Sequence, residues 1–344
     1  MIVRHGVAVR LSVTSLNKEI LGMDEFLVYA KILDGQGGAR DISEAELSTW
    51  QPEQGLLWLH FDYSKPETLS WLEDHSGLDD IAISALVAED TRPRATSHCG
   101  GLLMALRGVN MNPEADPEDM VSIRLFVHEH RIISSRKRQL LSVDDIVRSF
   151  KEGEGPETSS EFVAMLCDRL VRRMAGPIDN AEDKVDELEE NLLSSARAKL
   201  RSELGQVRRQ SIALRRYLAP QRDALSWVQS ERLPWFGDDQ RRHVREVSDR
   251  LAQYIETLDS IRERAAVSQE ELVNQISEES NNRMYVLSIV SAIFLPLGFA
   301  TGLLGINVGG IPGADNGDAF AIFIGILVAI SGALLVFFRY KKWL

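Results

Sequence analysis

Hydrophobic patterning divides this chain at about residue 283. Two apolar runs, MYVLSIVSAIFLPLGFATGLL at 284–304 and AFAIFIGILVAISGALLVFF at 319–338, contain no charged side chain. At about 1.5 Å per residue, some 20 helical residues cross a hydrocarbon core of about 30 Å. Two such runs in succession argue against a buried hairpin of a soluble protein. Pro296 lies inside the first run, which a membrane helix tolerates when neighbours or water satisfy the freed carbonyl. The chain before 283 alternates more finely. The stretches 26–33, 56–61, 102–106 and 121–127 read as strands, and 128–133 as a hairpin, with helices at 66–75 and 79–88. This predicts an α/β domain over 1–155, built on a mixed sheet. A helical region follows at 156–235, with breaks expected near Ser194–Ser195 and at Pro220. A turn at 233–239 leads into a stalk helix, 236–283, which continues into the first membrane helix, 284–304. An external loop at 305–318, a second membrane helix at 319–338 and a basic tail at 339–344 complete the organisation. The membrane part is all-α.

The long helix carries two seams. Val244, Val247, Leu251, Tyr254, Leu258, Ile261 and Ala265 alternate in steps of three and four, an apolar stripe able to pack on another helix. Its expected partner is the 159–218 region. The same rhythm counted back from Gly305 gives Gly302, Gly298, Leu295, Ser291, Ser288, Met284, Asn281, Ser277, Asn274, Glu270, Val267, Glu263 and Ser260. Within the apolar run this second stripe is small or weakly polar. Close helix packing accounts for small residues in a membrane, but Glu263, Glu270 and Asn274 make a poor dry interface. They suit a hydrated, cation-attracting vestibule continued by Ser277, with Leu295 and Met284 as narrow apolar constrictions. Two spans cannot enclose a pore, so conduction requires a ring of chains.

Composition sharpens this picture. The mean hydropathy of −0.13 resembles that of a soluble protein, an average that hides the split. Residues 284–338 carry only Asp315 and Asp318 as charges. The formal net charge of −12 argues against nucleic acid, which needs a basic surface, and is compatible with attracting cations. Arg283 precedes the first span and Arg339, Lys341 and Lys342 follow the second, whereas the connecting loop has no Lys or Arg. Positive-inside logic places both termini in the cytoplasm and the loop outside, with Tyr285 and Trp343 near the boundaries. The start, MIVRHGVAVRLSV, lacks a sustained apolar core, so no signal peptide is expected. Cys99 and Cys167 form no paired motif and are read as two buried reduced thiols. The acidic stretch 182–190 reads first as a solvated helical face and second as a cation-attracting surface.

Gly305-Ile306-Asn307 ends the first span. An Asn carbonyl binds a hydrated cation weakly enough to release it, and Gly305 lets the backbone turn inward. At this position, ahead of a second span and a basic end, the chain resembles the CorA superfamily of divalent-cation transporters, which carry a Gly-Met-Asn-type motif there. Ile306 in place of Met is similar to the ZntB zinc-transporter branch, as are Ala88-Glu-Asp-Thr-Arg-Pro-Arg94 and Leu106-Arg-Gly-Val-Asn110. The resemblance implies a homopentamer in a bacterial-type inner membrane, with one axial pore. It assigns Gly305, Ile306 and Asn307 to the outer selectivity mouth, with Asn307 meeting the hydrated ion. It assigns Asn281, Met284, Ser288, Ser291, Leu295, Gly298 and Gly302 to the pore wall. Asp315 and Asp318 become candidates for concentrating cations at the entrance.

The spans and loop contain no His or Cys, the residues zinc prefers, so the ion is expected to pass hydrated. Zn²⁺ enters as transported substrate, with no bound cofactor. His98 beside Cys99, and His128 with His130 on one face of an expected strand, are candidates for a regulatory divalent-cation site, each set against an ordinary structural role. Rival functions are magnesium transport within the same family, a membrane-anchored sensor or scaffold without a pore, and a membrane-anchored enzyme. No Walker A, GxGxxG, GxSxG or HExxH sequence supports the last.

Overall fold

The computed structural model describes residues 25–193, 197–305 and 317–341. They fall into two units divided between Gln269 and Glu270.

The first unit is built on a seven-stranded sheet. Its strands are β1 (Leu27–Leu33), β2 (Ala39–Asp41), β3 (Leu56–Asp62), β4 (Arg94–His98), β5 (Gly101–Gly108), β6 (Val121–His128) and β7 (Arg131–Arg136). Their order is β2-β1-β3-β7-β6-β5-β4. Among the described strands only β3 and β7 pair in parallel, with Trp58 opposite Ile132, so the sheet is mixed as expected. Successive side chains of a strand point to opposite faces, and both faces are covered. Leu57, Leu59, Phe61, Phe126 and Ile133 meet Trp71 and Leu72 of α2 (Pro66–His75) and Ile83 and Leu86 of α3 (Asp80–Val87). On the other face Trp58, Met104, Leu125 and Ile132 join a larger core with the helices that follow. Burial on both sides is why β3 and β6 read as near-continuous apolar runs.

The strand pattern does not anticipate β2, β4, a short helix α1 (Glu44–Leu47) or α4 (Leu141–Glu152). β2 and β4 are polar sheet edges, ARD and RATSH. They exist because their backbones pair with β1 and β5, which no side-chain period announces.

Three helices stack on the larger core: α5 (Ser159–Arg172), α6 (Ala175–Glu190) and α7 (Arg197–Ser230). Ser194 and Ser195, where a break is expected, lie outside the described residues; α6 ends before them and α7 begins after. Pro220 does not break the chain and lies inside α7. Proline forfeits one backbone hydrogen bond, but Leu218, Leu225 and Val228 are buried on either side of it. Beside it, the Arg107 amide donates to Gln221 Oε1 at 2.7 Å.

The long helix, α8 (Asp238–Gly305), spans 68 residues. In its first part Val244, Val247, Leu251, Leu258, Ile261 and Ala265 are all buried, and Tyr254 packs half-buried beside Ile255. Their partners lie on α5, α6 and α7, and include Leu170, Ile178, Leu214 and Val228. Ions fasten the same seam: buried Asp168 of α5 accepts from Arg250 Nη1 at 2.9 Å and Arg172 Nε at 2.5 Å. Arg215 Nε reaches Asp259 at 2.7 Å. Arg264 is clasped by Asp186 and Glu189 of α6, so the acidic stretch is partly neutralised and otherwise faces solvent.

The second unit contains the remainder of α8 and α9 (Ala319–Tyr340). Among its described residues Leu272, Ile289 and Phe338 are buried. Phe294, Phe299 and Phe320 are 67, 71 and 76% exposed, a density of uncovered apolar surface that water does not tolerate on a stable protein.

His60 sits at the centre of the sheet with no exposed surface. Its Nδ1 lies 2.8 Å from Ser134 Oγ, which also accepts from Trp58 Nε1 at 2.9 Å. Burial, aided by the Arg136 charge, pushes its pKa from 6.5 down to about 3. The unfolded chain therefore takes up this proton first. The stability held by neutral His60 is complete above about pH 6.5 and falls by up to about 1.4 kcal/mol per pH unit towards pH 3. His60→Asn, which keeps a partner for Ser134, is expected to flatten that dependence; unfolding midpoints at pH 7 and pH 5 measure it.

Candidate functional site

The second seam of α8 meets two environments. Ser260, Glu263 and Val267 are exposed in the first unit, while Leu258, Ile261, Ala265 and Ser268 on the other face are buried. The outward face is thus the one left after the apolar seam has docked. In the second unit Glu270, Asn274, Ser277, Asn281, Met284, Ser288, Ser291, Leu295, Gly298, Gly302 and Gly305 are exposed. Around them the other faces carry exposed Val286, Leu287, Val290, Phe294, Phe299 and Leu303. Ser288 Oγ donates to Met284 O at 2.8 Å and Thr301 Oγ1 to Leu297 O at 2.9 Å. These hydroxyl protons are satisfied within the helix, leaving oxygen lone pairs to face outward. Pro296 lies within the helix without ending it.

Gly305 is the last residue of α8. Ile306, Asn307 and Asp315 lie outside the described residues. Asp318 is exposed at the N-cap of α9.

The histidine candidates separate. His128 ends β6, but His130 belongs to the two-residue turn before β7. The two do not share a strand face, because the hairpin reverses between them. His98 and Cys99 stay together and acquire a third member, Asp79. Asp79 caps α3, accepting from the Ala82 amide at 3.0 Å. That bond and the contact with His98 hold its carboxyl below the usual carboxylate range. A pattern reading finds the acidic start of this helix but not its partner 19 residues on. The pairing is made by the fold.

Cys99 is exposed, contrary to the expectation of two buried thiols; Cys167 is buried. The reason is the β4–β5 hairpin, whose two-residue turn is Cys99-Gly100 with φ of 49° and 75°. Both residues are left-handed, as a type I′ turn requires, and such turns stand clear of the sheet.

The segments 88–94 and 106–110 meet. Arg107 Nη2 donates to Thr91 O at 3.0 Å and reaches Asp90 at 3.3 Å. Arg124, fully buried, donates to the carbonyls of Ala88 and Glu89. These contacts build the edge of the soluble unit rather than the ion path.

Fold and site together define a class: a soluble α/β unit whose final helix continues as the first of two membrane-spanning helices. The profile of the "CorA-like Mg2+ transporter protein" family matches residues 53–342, and the chain belongs to that family. It is 41% identical over 327 residues to the divalent cation transporter CmaX of Pseudomonas aeruginosa, covering 94% of this chain and 98% of that protein. It is 37% identical over 317 residues to the zinc transport protein ZntB of Yersinia enterocolitica, covering 92% and 96%. The structure of full-length CmaX superimposes with a TM-score of 0.81 at 39% identity, covering 92% of this chain and 98% of that one.

The environments of the two thiols predict different reactivity. Burial, followed by the nearby Asp168 charge, pushes Cys167 up to about 12, whereas Cys99 is open to solvent. Only a thiolate alkylates readily. Iodoacetamide on the folded chain at neutral pH is therefore expected to modify Cys99 and spare Cys167 until unfolding; peptide mass spectrometry checks it.

Proposed function

We propose that this chain is a divalent-cation transporter that moves zinc, as a hydrated ion, along an axial path in a homopentamer. The observation that carries the reading is the second seam of α8. Across the apolar run it is Ser and Gly, apart from Met284 and Leu295, while the remaining surface carries Phe, Leu and Val. A lipid-facing stripe has no use for hydroxyls. A stripe that turns acidic as it leaves the membrane suits a wet path that gathers cations.

Each part then has a role. Glu263, Glu270, Asn274 and Ser277 form a vestibule, repeated around the ring, that raises the local cation concentration. Asn281, Ser288, Ser291, Gly298 and Gly302 line the path. Met284 and Leu295 narrow it, where loss of water closes it to ions. Gly305, Ile306 and Asn307 form the outer mouth, and Asp315 and Asp318 draw cations to it. The bias of Arg283, Arg339, Lys341 and Lys342 to one side puts both termini in the cytoplasm, and the membrane is a bacterial-type inner membrane.

Zinc is favoured by Ile306 at the mouth and by relatives named for zinc transport. Magnesium is the alternative that the family description keeps open. The ion crosses hydrated because the spans and loop offer no imidazole or thiolate.

Metal-resolved flux into proteoliposomes under an imposed pH gradient tests this. Zinc uptake is expected to exceed magnesium uptake, and Ser291→Leu is expected to abolish most of it by closing the path. Normal zinc flux in Ser291→Leu would overturn the path; fast magnesium with slow zinc would overturn the ion. Glu263→Gln combined with Glu270→Gln is expected to slow uptake several-fold at low salt. The deficit should shrink near 1 M salt, where charges are screened beyond about 3 Å.

A further inference from the structure

Away from α8, the soluble unit brings three zinc-type donors to one point. A carboxylate oxygen of Asp79, His98 Nε2 and Cys99 Sγ lie within 4.8 Å of one another. His98 Nε2 is 2.7 and 2.8 Å from the two Asp79 oxygens and 3.6 Å from Cys99 Sγ. In a tetrahedral zinc site with Zn–N and Zn–S near 2.0 and 2.3 Å, the N and S ligands stand about 3.5 Å apart. The N–S edge therefore already has the length that zinc requires. The N–O edge would open by roughly half an ångström as a cation replaces the proton shared by His98 and Asp79.

The fold holds these donors in place. Asp79 Oδ1 is fixed by the Ala82 amide, and Cys99 and His98 are presented by a two-residue turn paired on both sides. A type I′ turn favours Gly, Asn or Asp, and an exposed Cys99 fills no core, so packing gives no reason for a thiol here. The cluster borders a cavity of about 450 Å³ that His128 and His130 also line. His128 Nε2 lies 3.7 Å from the point a Cβ on Gly100 would occupy, beside the turn that carries Cys99.

We propose that Asp79, His98 and Cys99 bind a zinc-class divalent cation, with the fourth position turned towards His128 and the cavity. Thiolate and imidazole select zinc, cobalt and their neighbours; magnesium prefers oxygen donors in an octahedron. The turn also accepts a hydrogen bond from Trp235, whose Nε1 lies 3.1 Å from Gly100 O. The site is thus one hydrogen bond away from the segment that leads into α8. The proposal stands independently of which ion crosses the membrane.

Titrating the full-length chain with Co²⁺, a spectroscopic substitute for Zn²⁺, tests it. A thiolate-to-cobalt charge-transfer band is expected, removed by Zn²⁺ and left unchanged by Mg²⁺. Cys99 is the source, because Cys167 is buried and protonated. Cys99→Ser should lose the band. Asp79→Asn, which preserves the helix cap, and His98→Gln should weaken Co²⁺ binding by more than the roughly 10- to 100-fold expected for an outer-shell partner. Metal-free unfolding midpoints matching the parent show that these variants fold. Absence of the band in the parent, its survival in Cys99→Ser, or unchanged affinity in both other variants overturns the proposal. The proposed membrane path contains no sulfur donor other than the Met284 thioether, so loss of the band and loss of flux fail separately.

Discussion

One helix has to satisfy three surroundings at once, and the rest of the structure depends on that constraint. α8 leaves a close-packed core and continues as an apolar run whose side chains need lipid or protein around them. Its first part is fixed by Val244, Val247, Leu251 and Leu258, buried against α5 to α7, with Arg250 and Arg264 as ionic fasteners. Once that seam is occupied, the second one, from Ser260 to Gly305, is the exposed face to which the proposed function assigns the ion path. Its positions in the apolar run are mostly Ser and Gly, where the other faces of that run carry exposed Phe, Leu and Val.

The spacing of that second face makes a further demand. Steps of three and four repeat every 3.5 residues, whereas a straight α-helix turns every 3.6. The mismatch of about 20° per heptad, over roughly six heptads from Ser260 to Gly305, amounts to about 130°. On a straight helix the stripe would wind off any fixed axis. In the proposed assembly, copies of the helix would keep this stripe on one axis by coiling around one another with a left-handed twist.

What the sequence discloses follows from how far each signal reaches. The spans are legible by length and absence of charge, β3 and β6 as near-continuous apolar runs, and the first α8 seam because its period and burial coincide. β2 and β4 are not, because polar edge strands are defined by the backbone of a neighbour. Pro220 misleads because local propensity is outweighed by core contacts at Leu218 and Leu225. Cys99 misleads because a lone cysteine is usually buried, and only the turn geometry brings this one to the surface. The pairing of Asp79 with His98 lies between these cases. Each residue is visible alone, but the sheet and α3 decide that they meet.

The donors along the chain are also segregated by strength. All seven histidines and both cysteines precede residue 244, so tight zinc ligands are confined to the soluble part and its immediate exit. The spans and the loop between them offer hydroxyls, amides, backbone carbonyls and two aspartates. This division has a physical reason. A conducting path must release what it binds, so its donors have to compete only weakly with the ion's own water. A site that registers the ion must do the reverse, holding it through imidazole and thiolate long enough to shift a hydrogen-bonded neighbour. Placing both kinds of donor on one path would trap the ion. The proposed strong set is instead carried by the β4–β5 turn, which is hydrogen-bonded to Trp235 just ahead of α8.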